Sequence, residues 1–148
     1  MILISHRGNT SGINKEFENN PKYIEKAIDL GFDVEVDIWF KDGDFFLGHD
    51  LAETKVNTNY LENDKLWCHA KNIEALLSLS ELNCKYFWHQ KDDVTITSNG
   101  YFWTYPGKKL TKKSICVLPE WQNNNKGKRP RVIIKFNCAG ICSDYISD

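Results

Sequence analysis

Asp33-Val34-Glu35-Val36-Asp37-Ile38-Trp39-Phe40 alternates charged and apolar residues, the period of two of a β-strand with two chemically different faces. Val34, Val36 and Ile38 share one face; Glu35 and Asp37 share the other, their Cα atoms about 6.6 Å apart at the usual rise. Forward of this strand, Lys41-Asp42-Gly43-Asp44 is a hairpin-type turn, and Phe45-Phe46-Leu47-Gly48 returns the chain to His49 beside the carboxylates. Backward of it, Pro21 can start a helix in which Tyr23, Ile24, Ala27, Ile28 and Leu30 recur at helical spacing, and Gly31 stops it. Met1 to Ser5 reads as a short buried strand and Gly8 to Asn20 as a polar loop, so His6 and Arg7 fall where strand gives way to loop.

Leu66 to Ala70 is a further strand, followed by Asn72 as N-cap of a helix through Ile73, Leu76, Leu77, Leu79 and Leu82. Beyond Lys91 the pattern changes to strands and loops: Val94 to Thr97, Tyr101 to Tyr105, Ser114 to Leu118, Arg131 to Phe136 and Ile141 to Tyr145, with Tyr86 to His89 just before them. Strand-helix alternation predicts an α/β fold with a largely parallel sheet. A full (β/α) barrel takes about 250 residues. A chain of 148 would need short strands and would lack several helices in its C-terminal half.

The length suits one domain over residues 1 to 148, and 41% hydrophobic residues are enough for a core. No stretch reaches the roughly 20 apolar residues of a membrane span, and no secretory leader pattern opens the chain, so a cytoplasmic protein is expected. Five cysteines are an odd number without zinc-site or disulfide-framework spacing, and are read as reduced and mostly structural. Residues 1 to 64 carry 6 Lys+Arg against 13 Asp+Glu, and residues 65 to 148 carry 13 against 7. The basic clusters at Lys108-Lys109, Lys112-Lys113 and Lys126 to Arg131 could steer an anionic ligand; the acidic first half speaks against nucleic acid.

Two carboxylates on one strand face admit two readings: a solvated edge, or a hard cation that offsets the cost of burying them. His6 and His49 supply two imidazoles whose ordinary pKa, about 6.5, suits proton transfer in both directions. Arg7 has the planar fork that grips phosphate. His69 and Lys71 share a face of the next strand, where they could add a metal ligand and a phosphate contact; His89 is a weaker candidate.

His6-Arg7-Gly8, Glu18-Asn19 with Pro21 and Ala27, Gly31-x-Asp33-x-Glu35-x-Asp37, Asp42-Gly43 and His49-Asp50 together resemble the glycerophosphodiester phosphodiesterase family of phospholipase-C-like phosphodiesterases. His69-Ala70-Lys71 stands where that family has a Glu-x-Lys strand, and Gly140 to Asp144 looks like its closing strand. The resemblance implies a compact (β/α) TIM-type barrel, with the site at the C-terminal ends of its strands. It implies a divalent cation on Glu35 and Asp37, His6 and His49 as the acid/base pair, and Arg7 and Lys71 on the phosphate of a small phosphodiester. His69 in place of the third carboxylate opens the choice of metal from Mg or Ca to Mn or Zn. It also raises an alternative, a barrel that binds a phosphorylated ligand without cleaving it. The shortage of helices predicts uncovered apolar faces near Tyr86-Phe87-Trp88 or Tyr101-Phe102-Trp103, and hence a homo-oligomer.

Overall fold

The computed structural model describes residues 1–122 and 137–148. Ten strands form one mixed sheet: β1 (Ile2–His6), β2 (Asp33–Lys41), β3 (Asp44–Leu47), β4 (Thr54–Val56), β5 (Leu66–Ala70), β6 (Lys85–Phe87), β7 (Val94–Ile96), β8 (Phe102–Thr104), β9 (Ser114–Val117) and β10 (Gly140–Ser143). The helices described are α1 (Pro21–Asp29), the single turn α2 (Thr58–Leu61) and α3 (Ile73–Ser80), with a 3₁₀ turn at Pro119–Trp121. The fold is therefore α/β with few helices. Among the described residues no helix lies between β6 and β9.

Six parallel pairings set the order β6-β5-β2-β1-β10-β9-β8. The β2–β3 hairpin and β4 are antiparallel additions on the β1 side of β2, and β7 pairs antiparallel with β8. The hairpin turn at Asp42 and Gly43 has positive φ at both positions, 52° and 83°, the conformation a two-residue hairpin of right-handed twist requires. No ladder joins β6 to β7 or β8. Between those edges Ser98 N donates to Tyr86 O at 2.9 Å, and the Phe87 and Trp103 rings meet at 4.4 Å.

Alternation along the strands divides the buried apolar residues into three clusters, of which two frame the site and the third gathers Phe32, Cys116, Ile141 and Ile146. Val34, Val36 and Ile38 of β2 and Leu66, Cys68 and Ala70 of β5 pack under Ile24 and Ala27 of α1 and Ala75 and Leu79 of α3. Both helices begin on an asparagine cap: Asn20 accepts from Lys22 N at 3.0 Å and Asn72 from Ala75 N at 3.0 Å. Asn72 also exchanges two hydrogen bonds with the Phe40 backbone, which fastens α3 to β2. On the opposite face Ile4, Trp67, Phe87, Trp103, Ile115, Val117 and Cys142, from six different strands, form a second core. Glu35 and Asp37 stand on that inner face and are buried, not solvated at an edge.

The 54–61 strand and turn have no counterpart in the periodicity reading, and the strand expected at Arg131 to Phe136, like the basic cluster at Lys126 to Arg131, lies outside the described residues. The expected uncovered aromatics are a correction: Phe87 and Trp103 are buried in the second core and Tyr86 and Trp88 pack on the first. Exposed apolar side chains lie elsewhere, among them Ile96 on β7 and Ile73 and Leu77 on α3. The cysteines are all free, and no described helix is long and apolar enough to cross a membrane.

Candidate active site

Each parallel strand around the second core ends at the same side of the sheet, and polar groups replace apolar ones there. His6 ends β1, Glu35 and Asp37 lie along β2, His69 and Lys71 end β5, His89 follows β6 and Asp144 follows β10. His6, Arg7, Glu35, His49, His69 and Lys71 border one cavity of about 330 Å³. The predicted set is thus brought together from four separate segments.

Two glycines make the approach possible. Gly8 has φ +93°, and a Cβ there would meet the Tyr23 ring at 2.7 Å. Gly48 has φ +151°, and a Cβ would lie 1.9 Å from Leu51 O. Gly48 N donates to Asp37 O at 3.2 Å and its carbonyl accepts from Trp39 Nε1 at 2.7 Å, which seats His49 against β2.

Asp37 is the hub. Its Oδ2 accepts from Asn19 Nδ2 at 2.9 Å while its own amide donates to Asn19 Oδ1 at 2.9 Å, so one side chain satisfies both. Arg7 Nε approaches Oδ2 to 2.9 Å as an ion pair whose N–H is not aligned for a hydrogen bond. Burial pushes the Asp37 pKa up, but the close imidazoles of His49 and His69 and the charges of Arg7 and His69 hold it well below the usual carboxylate range. Asn19 sits at φ 59°, a left-handed conformation that asparagine tolerates.

Glu35, Asp37 and His69 each offer a ligand atom, all within 4.8 Å of one another. His69 Nε2 donates to His89 O at 2.8 Å, which turns Nδ1 toward Glu35 Oε1 at 3.3 Å and Asp37 Oδ1 at 3.4 Å. Glu35 Oε2 and Asp37 Oδ1 are buried without a hydrogen-bond partner. A neutral imidazole would aim its lone pair at two carboxylates, so a positive charge belongs here: a second proton on His69 or a cation. Burial lowers the His69 pKa, yet the close Asp37 and Glu35 carboxylates push it up to about 9. The donor set fits a divalent cation, with two carboxylates suited to Mg or Ca and the imidazole to Mn or Zn.

The two other histidines differ in environment. His6 Nδ1 lies 2.7 Å from Asp144 Oδ1, which also accepts from Asn9 Nδ2 at 2.9 Å, while Nε2 faces Glu35 Oε2 at 3.9 Å. Burial depresses the His6 pKa, but the Asp144 hydrogen bond and the Glu35 charge outweigh it and raise it. His49 is half-exposed and accepts at Nδ1 from Arg7 NH2 at 2.7 Å, since guanidinium can only donate. Arg7 NH1 donates to Glu18 Oε2 at 3.2 Å. The guanidinium predicted to face phosphate therefore has both arms engaged. Lys71 Nζ stands 3.6 Å from Asp37 Oδ1.

Asp144, Asn9, Glu18 and Asn19 are the residues that reading for chemistry left without roles. Asp144 carried the same signal as His6, a polar group ending an apolar strand. Asp33, which matched the resemblance, sits at the far end of β2, bound to Trp67 Nε1 at 2.9 Å and to Lys65 and Lys85. His89 Nε2 donates to Asp92 O at 2.8 Å, and His89 serves the site through its own carbonyl. Compared with protein-family models, with curated proteins and with solved structures, the chain gives no match.

Proposed function

We propose that this protein is a metal-dependent phosphodiesterase acting on a glycerophosphodiester or a similar small phosphodiester, on a compact parallel β/α barrel. The observation that carries the reading is the cluster of Glu35, Asp37 and His69, with two unpaired buried carboxylate oxygens, beside His6, His49, Arg7 and Lys71 on one cavity. Closure of the sheet into a barrel is supported by a core shared among six strands and by the bond and ring contact between the β6 and β7–β8 edges.

A divalent cation held by Glu35, Asp37 and His69 would supply charge neutralisation for a phosphate oxygen and lower the pKa of a bound hydroxyl. Lys71 and Arg7 add two positive groups around the same volume. His6 fits the general base: Asp144 accepts the Nδ1 proton, so the neutral ring keeps its Nε2 lone pair toward the cavity. His49 fits the general acid by an exchange of partners. A bound phosphate draws Arg7 NH2 away, and the freed Nδ1 takes a proton opposite Asp37 Oδ2, 3.4 Å away. The proton lost to the leaving alcohol then comes from His49.

The test is turnover of glycerophosphodiesters by wild type, His6→Ala and His49→Ala with Mg, Ca, Mn or Zn. Loss of two to four orders of magnitude in kcat is expected of each variant. Undiminished turnover in either variant overturns the acid/base assignment.

A further inference from the structure

A phosphate held among these groups must send its two ester arms into different parts of the cleft, and the cleft is chemically divided. His6, Arg7, His49 and Trp121 border both the 330 Å³ cavity and an adjoining one of about 530 Å³. The adjoining cavity is polar, with Lys15, Glu18, Asp50 and Glu53. The first is walled by Trp103, Tyr105 and Trp121.

We infer that the aromatic cavity selects a diester with one neutral aromatic alcohol, whose flat ring stacks against Tyr105 and Trp121. The inference rests on the phosphodiesterase reading above. Tyr105 and Trp121 are 40% and 54% exposed, so Trp121 and the Tyr105 face turned away from His89 are open to a guest. Two of the walls are also fixed beforehand: Tyr105 stacks on His89 at 4.9 Å and 21°, and Trp103 is braced by Phe87 at 4.4 Å. Rigid planar walls favour a planar guest over a flexible chain, because little side-chain entropy is lost on stacking.

Charge argues against a cationic arm, the other group that aromatic walls attract. Among the described residues of this cavity Glu35 is the sole carboxylate, and it belongs to the metal ligand set. Arg7 and Lys71 border the same space. The acidic groups lie on the polar side, with Glu18, Asp50 and Glu53.

The experiment compares three glycerol phosphate diesters whose second alcohol is benzyl, cyclohexylmethyl or choline, each with Mg, Ca, Mn and Zn. Benzyl and cyclohexylmethyl alcohols are close in size and leaving-group quality, so their ratio isolates the flat ring. Wild type is expected to favour benzyl by about fivefold in kcat/KM, carried by KM. Trp121→Leu, which keeps apolar bulk without a planar face, should bring the ratio near one, and Trp121→Phe should retain it. A ratio near one in wild type, a preference for choline, or a ratio unchanged in Trp121→Leu overturns the inference while leaving the hydrolysis intact. Tryptophan fluorescence titration with glyceryl benzylphosphonate, which cannot be cleaved at its P–C bond, separates the two ideas. Tight, Trp121-dependent quenching without turnover of any diester keeps the aromatic cavity and removes the reaction. Neither quenching nor turnover overturns both.

Discussion

Asn19→Ala removes a side chain that touches no substrate but holds Asp37 from two directions. It leaves the buried Asp37 amide without an acceptor, a loss of about 2 kcal/mol. It also places a Cβ-bearing residue without a compensating side chain at φ 59°, which costs roughly 1 kcal/mol more. The expected destabilisation is about 3 kcal/mol, a fall in Tm of roughly 6 to 12 °C for a chain of this size. Asn19→Gly loses the same hydrogen bonds but not the conformational term, so it should recover about 1 kcal/mol of that loss. Calorimetric or circular-dichroism melts of the three proteins measure both differences. Metal affinity gives an independent reading, because neither variant holds the Asp37 carboxylate: both should bind a divalent cation at least tenfold more weakly. Equal stability of the alanine and glycine variants, or metal affinity matching wild type in either, refutes the role given to Asn19.

Asp144→Asn keeps the shape beside His6 but removes the charge that raises its pKa; the acidic limb of a kcat/KM profile, where His6 must lose its proton to act as base, should shift to lower pH, with kcat reduced at least tenfold. For the metal-free protein the pH dependence has two limbs. The depressed Asp37 pKa contributes stability above the ordinary carboxylate range that is lost as pH falls through its folded value. The raised His69 pKa contributes stability that is complete below 6.5 and lost as pH rises through about 9, so His69→Gln should flatten the alkaline limb of a Tm profile. Cation binding must expel that His69 proton, and calorimetry at pH 7 in buffers of different ionisation enthalpy should report about one proton released. Gly48→Ala forces its Cβ into Leu51 O and should displace His49, with kcat falling at least tenfold while the hydrophobic core remains folded by near-ultraviolet circular dichroism.

The strand at 33–41 was legible because its inner and outer faces differ so sharply, and the Asn72 cap and the Asp42-Gly43 turn announced their elements in the same local way. Short pieces with no sustained period, β4 and α2, were not legible, since a three-residue strand held by a hairpin neighbour takes its conformation from pairing. The burial of Phe87 and Trp103 also depended on long-range closure: strands with no helix over them still have an inner face, and these aromatics fill it. At the candidate site the types of the chemical groups were readable, but their couplings were not. Nothing local in Arg7 indicates that Glu18 and His49 occupy its arms, or that Asp144, more than a hundred residues away, orients His6.

The central claim, that Glu35, Asp37 and His69 make a metal-dependent diesterase site, is tested most directly by following a glycerophosphodiester by ³¹P NMR. The protein is first stripped with chelator and then given one equivalent of Mg, Ca, Mn or Zn. The account predicts no loss of the diester signal in the stripped protein, and conversion to a phosphomonoester or cyclic phosphate when at least one metal is restored. Equal conversion with and without metal, or no conversion with any of them, contradicts it.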